Sequence, residues 1–138
     1  MTVWLKIKIR SESSEVVTCA MANTGFEGLG ADIMLPMDLA KCLGLWPPEN
    51  ADIYAVRTAS GVTPIYRLRN YVEVEIMVND RSVAPVKLTP IISDAMEYVL
   101  LSDKALTALG IIIISAGEGL WCLRDELGSA IRVSCQPP

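Results

Sequence analysis

Asn23-Thr24-Gly25 is the segment of this chain best equipped for chemistry. It closes the apolar run Val16-Val17-Thr18-Cys19-Ala20-Met21-Ala22, so a strand ends in a tight turn carrying a carboxamide, a hydroxyl and a glycine. A carboxamide donates and accepts hydrogen bonds but neither takes nor gives a proton at ordinary pH. Taken alone, the tripeptide is also what a plain turn between strands looks like, because Asn and Gly both suit turns.

The other acids offer less. Asp32, Asp52, Asp94 and Asp103 each stand at a turn or a helix start, where capping or solvation is the ordinary role. Trp4, Trp46 and Trp121 read as packing or interface residues, and Met34, Met37, Met77 and Met96 as core filler. The chain has no histidine, which removes Ser-His-Asp and Cys-His catalysis and most zinc sites. Cys19, Cys42, Cys122 and Cys135 form no close pair, so they read as buried or reduced thiols rather than metal ligands, with a disulfide reserved for a hyperthermophilic source. No metal and no cofactor is expected.

The bulk numbers point to one domain over residues 1–138 with a core of its own: 51% of the residues are apolar and 20% charged. Twelve basic and 16 acidic residues leave a net charge of −4, and no basic face for nucleic acid is visible. Lys6, Lys8 and Arg10 alternate as a solvated strand face does. Charges interrupt the N-terminal apolar residues, and the longest apolar run, Gly110 to Ile114, is far too short for a bilayer. The expectation is a soluble, cytoplasmic protein with no membrane partner.

Short strands and turns must position the tripeptide. Val3 to Ile9 alternates apolar and polar, and Val16 to Ala22 is a more buried strand. Leu35 to Gly44 reads as a short helix with Pro36 in its first turn and Gly44 at its cap. Ile53 to Ala59 and Val62 to Leu68 form a hairpin turning at Ser60-Gly61. Tyr71 to Val78, Ser82 to Leu88 and Tyr98 to Leu101 are further strands. Ser102 to Leu109 is a second helix, N-capped by Ser102 and stopped by Gly110, and short strands at Ile111 to Ile114, Leu120 to Leu123 and Ala130 to Cys135 follow. About ten strands with two short helices predict a closed or nearly closed all-β domain.

The order of these motifs resembles the retropepsin-like aspartic peptidases over roughly residues 3 to 123. In that family an Asp-Thr-Gly loop precedes a Leu-Pro helix, a flap hairpin and a hydrophobic-hydrophobic-Gly motif before the last helix. The resemblance implies an acid-protease barrel with one or two short helices, active as a homodimer with one such loop per subunit. Asn23 then falls at the catalytic aspartate, Thr24 at the hydroxyl that ties the two loops across the dimer, and Gly25 where backbone approaches the substrate. Phe26 stands beside the site, Thr58, Ala59, Ser60 and Gly61 belong to the flap, and Leu100 and Leu101 match the hydrophobic pair, with Leu101 on the substrate side. Ser102 stands where the family prefers Gly, and Gly28-Leu29-Gly30-Ala31-Asp32 is longer than usual before the Leu-Pro segment.

The implied substrate is a peptide or unfolded polypeptide, and the implied partner a second copy. Trp4 and Ile7 of the first strand, with Ile131 and Val133 of the last, are the expected dimer contacts. Two facing carboxylates would share a proton and activate water; two facing amides hold no base. The chain as written is therefore expected to be inactive in hydrolysis. Three accounts of Asn23 stand open: an engineered active-site substitution, a natural non-catalytic peptide-binding dimer, or a subunit whose partner supplies the acid.

Overall fold

Alternation along the chain builds a barrel. A computed structural model of the chain describes residues 2–26, 29–59 and 61–138. Among these residues, strands dominate: β1 (Trp4–Arg10), β2 (Glu15–Ala22), β3 (Asp32–Pro36), β4 (Ala51–Thr58), β5 (Gly61–Leu68), β6 (Val72–Ile76), β7 (Val86–Ser93), β8 (Leu100–Leu101), β9 (Ile111–Ser115), β10 (Leu120–Leu123) and β11 (Arg132–Val133). Two helices join them, α1 (Met37–Cys42) and α2 (Asp103–Leu109). The all-β class expected from the sequence is what the chain adopts.

Six strands close on themselves in the order β3-β8-β2-β1-β6-β7, with β7 pairing back to β3. Two pairings in this ring are parallel, β2 with β8 and β3 with β7. The short β8 lies between β2 and β3, which are neighbours in sequence but not in the sheet. β7 changes partner along one edge, from β6 at Val86–Leu88 to β5 at Ile91–Ser93. The β4–β5 hairpin therefore leaves the ring, and its strand pairing to the ring runs through β7. A separate sheet of β9, β10 and β11 follows α2.

The inward residues of β1 and β6 make the centre of the core: Leu5, Ile7, Ile9, Val72, Val74 and Ile76 are buried with Ile33, Leu35, Leu88 and Leu101. Each such side chain contributes about 1.5–3 kcal/mol relative to exposure. The outward face of β1 is solvated as expected and is matched by acids: Lys8 lies opposite Glu75, and Arg10 opposite Glu73. The second helix begins as its sequence implies. Ser102 Oγ accepts the Ala105 N–H at 3.1 Å, and Gly110 ends the helix at φ 74°, a backbone region other residues avoid.

Four expectations need correction. Residues 32–36 form a strand, so the first helix starts at Met37, with Pro36 before it rather than in its first turn. The strand expected over Ser82 to Leu88 lies instead at Val86–Ser93. Cys19 and Cys135 are joined in a disulfide, while Cys42 is an exposed thiol and Cys122 a buried one. Trp4 and Ile7 are buried inside the chain's own core, which withdraws them from a dimer surface; Ile131 and Val133 are exposed.

An ion-pair cluster fastens the β6–β7 turn to the C-terminal segment. Arg132 grips Asp80 with two bonds of 2.9 Å and Glu126 with bonds of 2.8 and 2.6 Å, while Arg81 grips Asp125 at 2.8 and 2.9 Å. The Arg132 hydrogen bonds hold the Glu126 carboxyl down from 4.5 to about 2, against burial and with help from the Leu123 N–H. Asp80 and Asp125 are lowered too, by their bonds to Arg132 and Arg81. A carboxyl lowered on folding stabilises the fold above its unfolded pKa, and that contribution fades as pH falls through the folded value. Stability is therefore expected to fall between about pH 5 and pH 2, and Glu126→Gln to flatten that slope. Urea unfolding of both proteins across this range is the check; equal slopes would remove Glu126 from the account.

Candidate functional site

The tripeptide sits where the parallel pair β2–β8 ends. Ala22 is buried opposite Leu101, and the Asn23 N–H extends the ladder by one bond, to the Leu101 carbonyl at 3.2 Å. The chain then turns at once: the Phe26 N–H reaches the Asn23 carbonyl at 3.0 Å. Within that turn, the Gly25 N–H donates to Asn23 Oδ1 at 3.1 Å. A short polar side chain that bonds two residues ahead fixes its own rotamer. The amide is thereby oriented, with its oxygen turned toward the glycine backbone. A Cβ on Gly25 would stand 3.3 Å from that oxygen, a tight approach that suits glycine.

Asn23 and Phe26 are half-buried, while Thr24 and Gly25 are exposed. The Thr24 hydroxyl has no partner among the described residues of this single chain. Phe26 is anchored from below, because its carbonyl accepts the Asp103 N–H at 3.1 Å. Asp103, the first residue of α2, thus joins the helix to the turn as well as stabilising its first turn.

Leu101 is fully buried, so it packs the core beneath the turn and is closed to a substrate. Its contribution is the carbonyl that receives Asn23. Of the hairpin residues, Ala59 is exposed, Thr58 lies opposite Gly61 at the end of the paired strands, and Ser60 is outside the described residues. Below the tip, Tyr54, Val56 and Val62 are exposed, so the hairpin offers apolar side chains to its surroundings.

The residues that sequence reasoning passed over lie beside this turn. Asp32 was expected at a solvated turn; it opens β3 and is wholly buried. Its Oδ1 accepts from Arg67 Nη2 at 3.0 Å and its Oδ2 from the Gly30 N–H at 3.3 Å. Its own N–H donates to Ser102 Oγ at 3.0 Å, and its carbonyl accepts the Ser102 N–H at 3.1 Å. The Ser102 hydroxyl also donates to the Gly30 carbonyl at 3.3 Å. One hydroxyl thus serves the helix cap, β3 and the loop. Arg67 Nη1 is buried and has no hydrogen-bond partner among the described residues. A buried polar group left so costs about 1–3 kcal/mol.

Two surface cavities lie elsewhere. One, of about 220 Å³, is bounded by Ser11, Leu43, Pro47, Asn50 and Tyr71; the other, of about 330 Å³, by Arg81, Leu109, Leu123 and Asp125. Among the described residues, no group of three or more His, Cys, Asp or Glu is placed to hold a metal ion, and no helix is long and apolar enough to cross a membrane. The turn at Asn23 offers one oriented amide, exposed backbone and a hydroxyl. That set can donate and accept hydrogen bonds and has no proton to exchange at ordinary pH. No protein-family model matches the chain, and a search of curated proteins finds no match.

Proposed function

We propose that the chain is a retropepsin-like aspartic peptidase scaffold that works as a homodimer and, with Asn at position 23, holds a peptide without cleaving it. The observation that carries this reading is the Asn23 side chain, pinned by the Gly25 N–H at the end of a strand paired in parallel with β8. A carboxylate in that place would be held by the same donor and aimed the same way. The closed ring, the hairpin that leaves it and the short β8 between β2 and β3 give the loop a setting that a bare turn would not need.

In a twofold pair, each Asn23 would face its mate and the exposed Thr24 hydroxyls would reach across. The apolar hairpins would close over an extended peptide, which pairs by backbone hydrogen bonds. The missing acid favours a second reading, a dimer that binds peptide and has no catalytic past. Restoring the acid separates the two: Asn23→Asp confers cleavage of unfolded polypeptide on a peptidase scaffold and leaves a pure binding protein silent.

A further inference from the structure

We propose that Arg67 is a positioning residue, whose ion pair with Asp32 latches the β4–β5 hairpin to the loop that begins at Asn23. The idea rests on the reading above only in taking the hairpin as a cover for bound peptide; the latch itself stands on the geometry.

The hairpin has a narrow attachment. β4 pairs with β5, and β5 joins the ring through Ile65, Tyr66 and Arg67 opposite Ser93, Ile92 and Ile91 of β7. Arg67 is therefore at the base, where a small change of angle moves the tip most. From there its side chain reaches past β7 to Asp32, the first residue of β3. Asp32 is where the loop from Asn23 re-enters the barrel.

The bonds are continuous. Arg67 holds Asp32, Asp32 and Ser102 hold each other twice, and the residue after Ser102 holds the Phe26 carbonyl. Phe26 closes the turn on Asn23. Each link includes a backbone or charge-assisted bond with a fixed direction, so a shift at the hairpin base is felt at the turn. Ser102 reinforces this chain of contacts, since a glycine there would keep the backbone bond to Asp32 but have no hydroxyl to bridge β3, the loop and the helix.

The unpaired Nη1 marks a latch rather than a bolt. An Arg–carboxylate pair built for rigidity is commonly two-pronged, with two parallel N–H···O bonds. Here a single bond joins the pair, and Nη1 has no partner among the described residues. Fewer bonds break when the hairpin lifts than a two-pronged pair would require.

Hydrogen–deuterium exchange on the full chain tests this. Arg67→Gln is expected to speed amide exchange about tenfold or more in 51–58, 61–68 and 23–26, while β1 and β6 keep their protection. Arg67→Gln leaves the buried Asp32 unpaired and can undermine the fold, so the doubly neutral Asp32→Asn/Arg67→Gln protein is measured beside it. It is expected to show the same local acceleration with the barrel intact, and Arg67→Lys to restore part of the protection. Equal acceleration across the barrel, no acceleration in the hairpin, or loss of the fold in both proteins would overturn the latch and leave the pair a plain core contact. In an active Asn23→Asp background, Arg67→Gln raises KM about tenfold with kcat within a few-fold of its parent, as loss of ligand positioning does. Failure of Asn23→Asp to cleave would count against the peptidase reading and leave the exchange result standing.

Discussion

Asn23→Asp is expected to turn this chain into an acid-dependent endopeptidase. Two carboxylates held about 3 Å apart cannot both ionise cheaply, so their pKa values split and the pair shares one proton. The ionised member takes a proton from water as the water attacks the scissile carbonyl, and the protonated member gives one to the carbonyl oxygen. The Gly25 N–H, which now binds Asn23 Oδ1, would hold the corresponding carboxylate oxygen. Positioned acid and base groups supply roughly 10²–10⁴-fold each, so the gain over the Asn23 protein is of that order or larger. The pH profile is bell-shaped: raising pH removes the shared proton, and lowering it protonates the base. A statine-type inhibitor, which places a hydroxyl between the carboxyls, is expected to abolish the cleavage. Absence of cleavage of an unfolded polypeptide from acid to neutral pH would assign the fold to binding alone.

Reduction of the Cys19–Cys135 bond is expected to weaken the fold by about 2–5 kcal/mol. The bridge closes a loop of 116 residues, nearly the whole chain, and so restricts the unfolded ensemble heavily. In the folded chain it tethers the C-terminal tail to β2, four residues before Asn23. The tail is also held by the Cys135 N–H on the Trp4 carbonyl at 3.1 Å and by the Trp4 N–H on Ser134 Oγ at 2.9 Å. Denaturant unfolding with and without a reductant reads the effect, and Cys135→Ser serves as control because it should match the reduced parent and ignore reductant. An unchanged midpoint on reduction would show that the bridge adds nothing. Such bonds persist in oxidising compartments or in intracellular proteins of hyperthermophiles. The cytoplasmic expectation therefore carries a condition that the sequence reading had already attached to any disulfide.

The elements that were legible in the sequence are those whose pattern is local. Val72, Val74 and Ile76 alternate, and they line the core. Ser102 and Gly110 bound α2 as cap and stop, and both act so. What was hidden depends on partners distant in sequence. The apolar run Ile33 to Leu35 leads into a Pro that suits a helix start, and only pairing with β7 and β8 makes it a strand. Pro90 argues against a strand through residues 86–93. The Thr89 N–H points to the Ala31 carbonyl on the β3 side, so the position of the missing Pro90 donor faces the opposite edge, where β6 has ended and β5 has not begun. Asp32 and Arg67 stand 35 residues apart, and nothing between them announces that a buried acid meets a half-buried arginine. The turn at Asn23 was the clearest feature of the site, because a carboxamide next to a hydroxyl and a glycine after an apolar strand is local chemistry. Leu101 was misjudged because its neighbour Asn23 is half-open while it faces the core itself.

The central claim is that two copies of the chain bring their residues 23 face to face, and cysteine cross-linking reads this directly. Cys42 is exposed, so the protein used is Asn23→Cys in a Cys42→Ser background. On mild oxidation it is expected to run mainly as a covalent dimer on a non-reducing gel, while Val17→Cys, on an exposed strand position, stays monomeric. A monomer in sedimentation together with no cross-link through residue 23 would contradict the account.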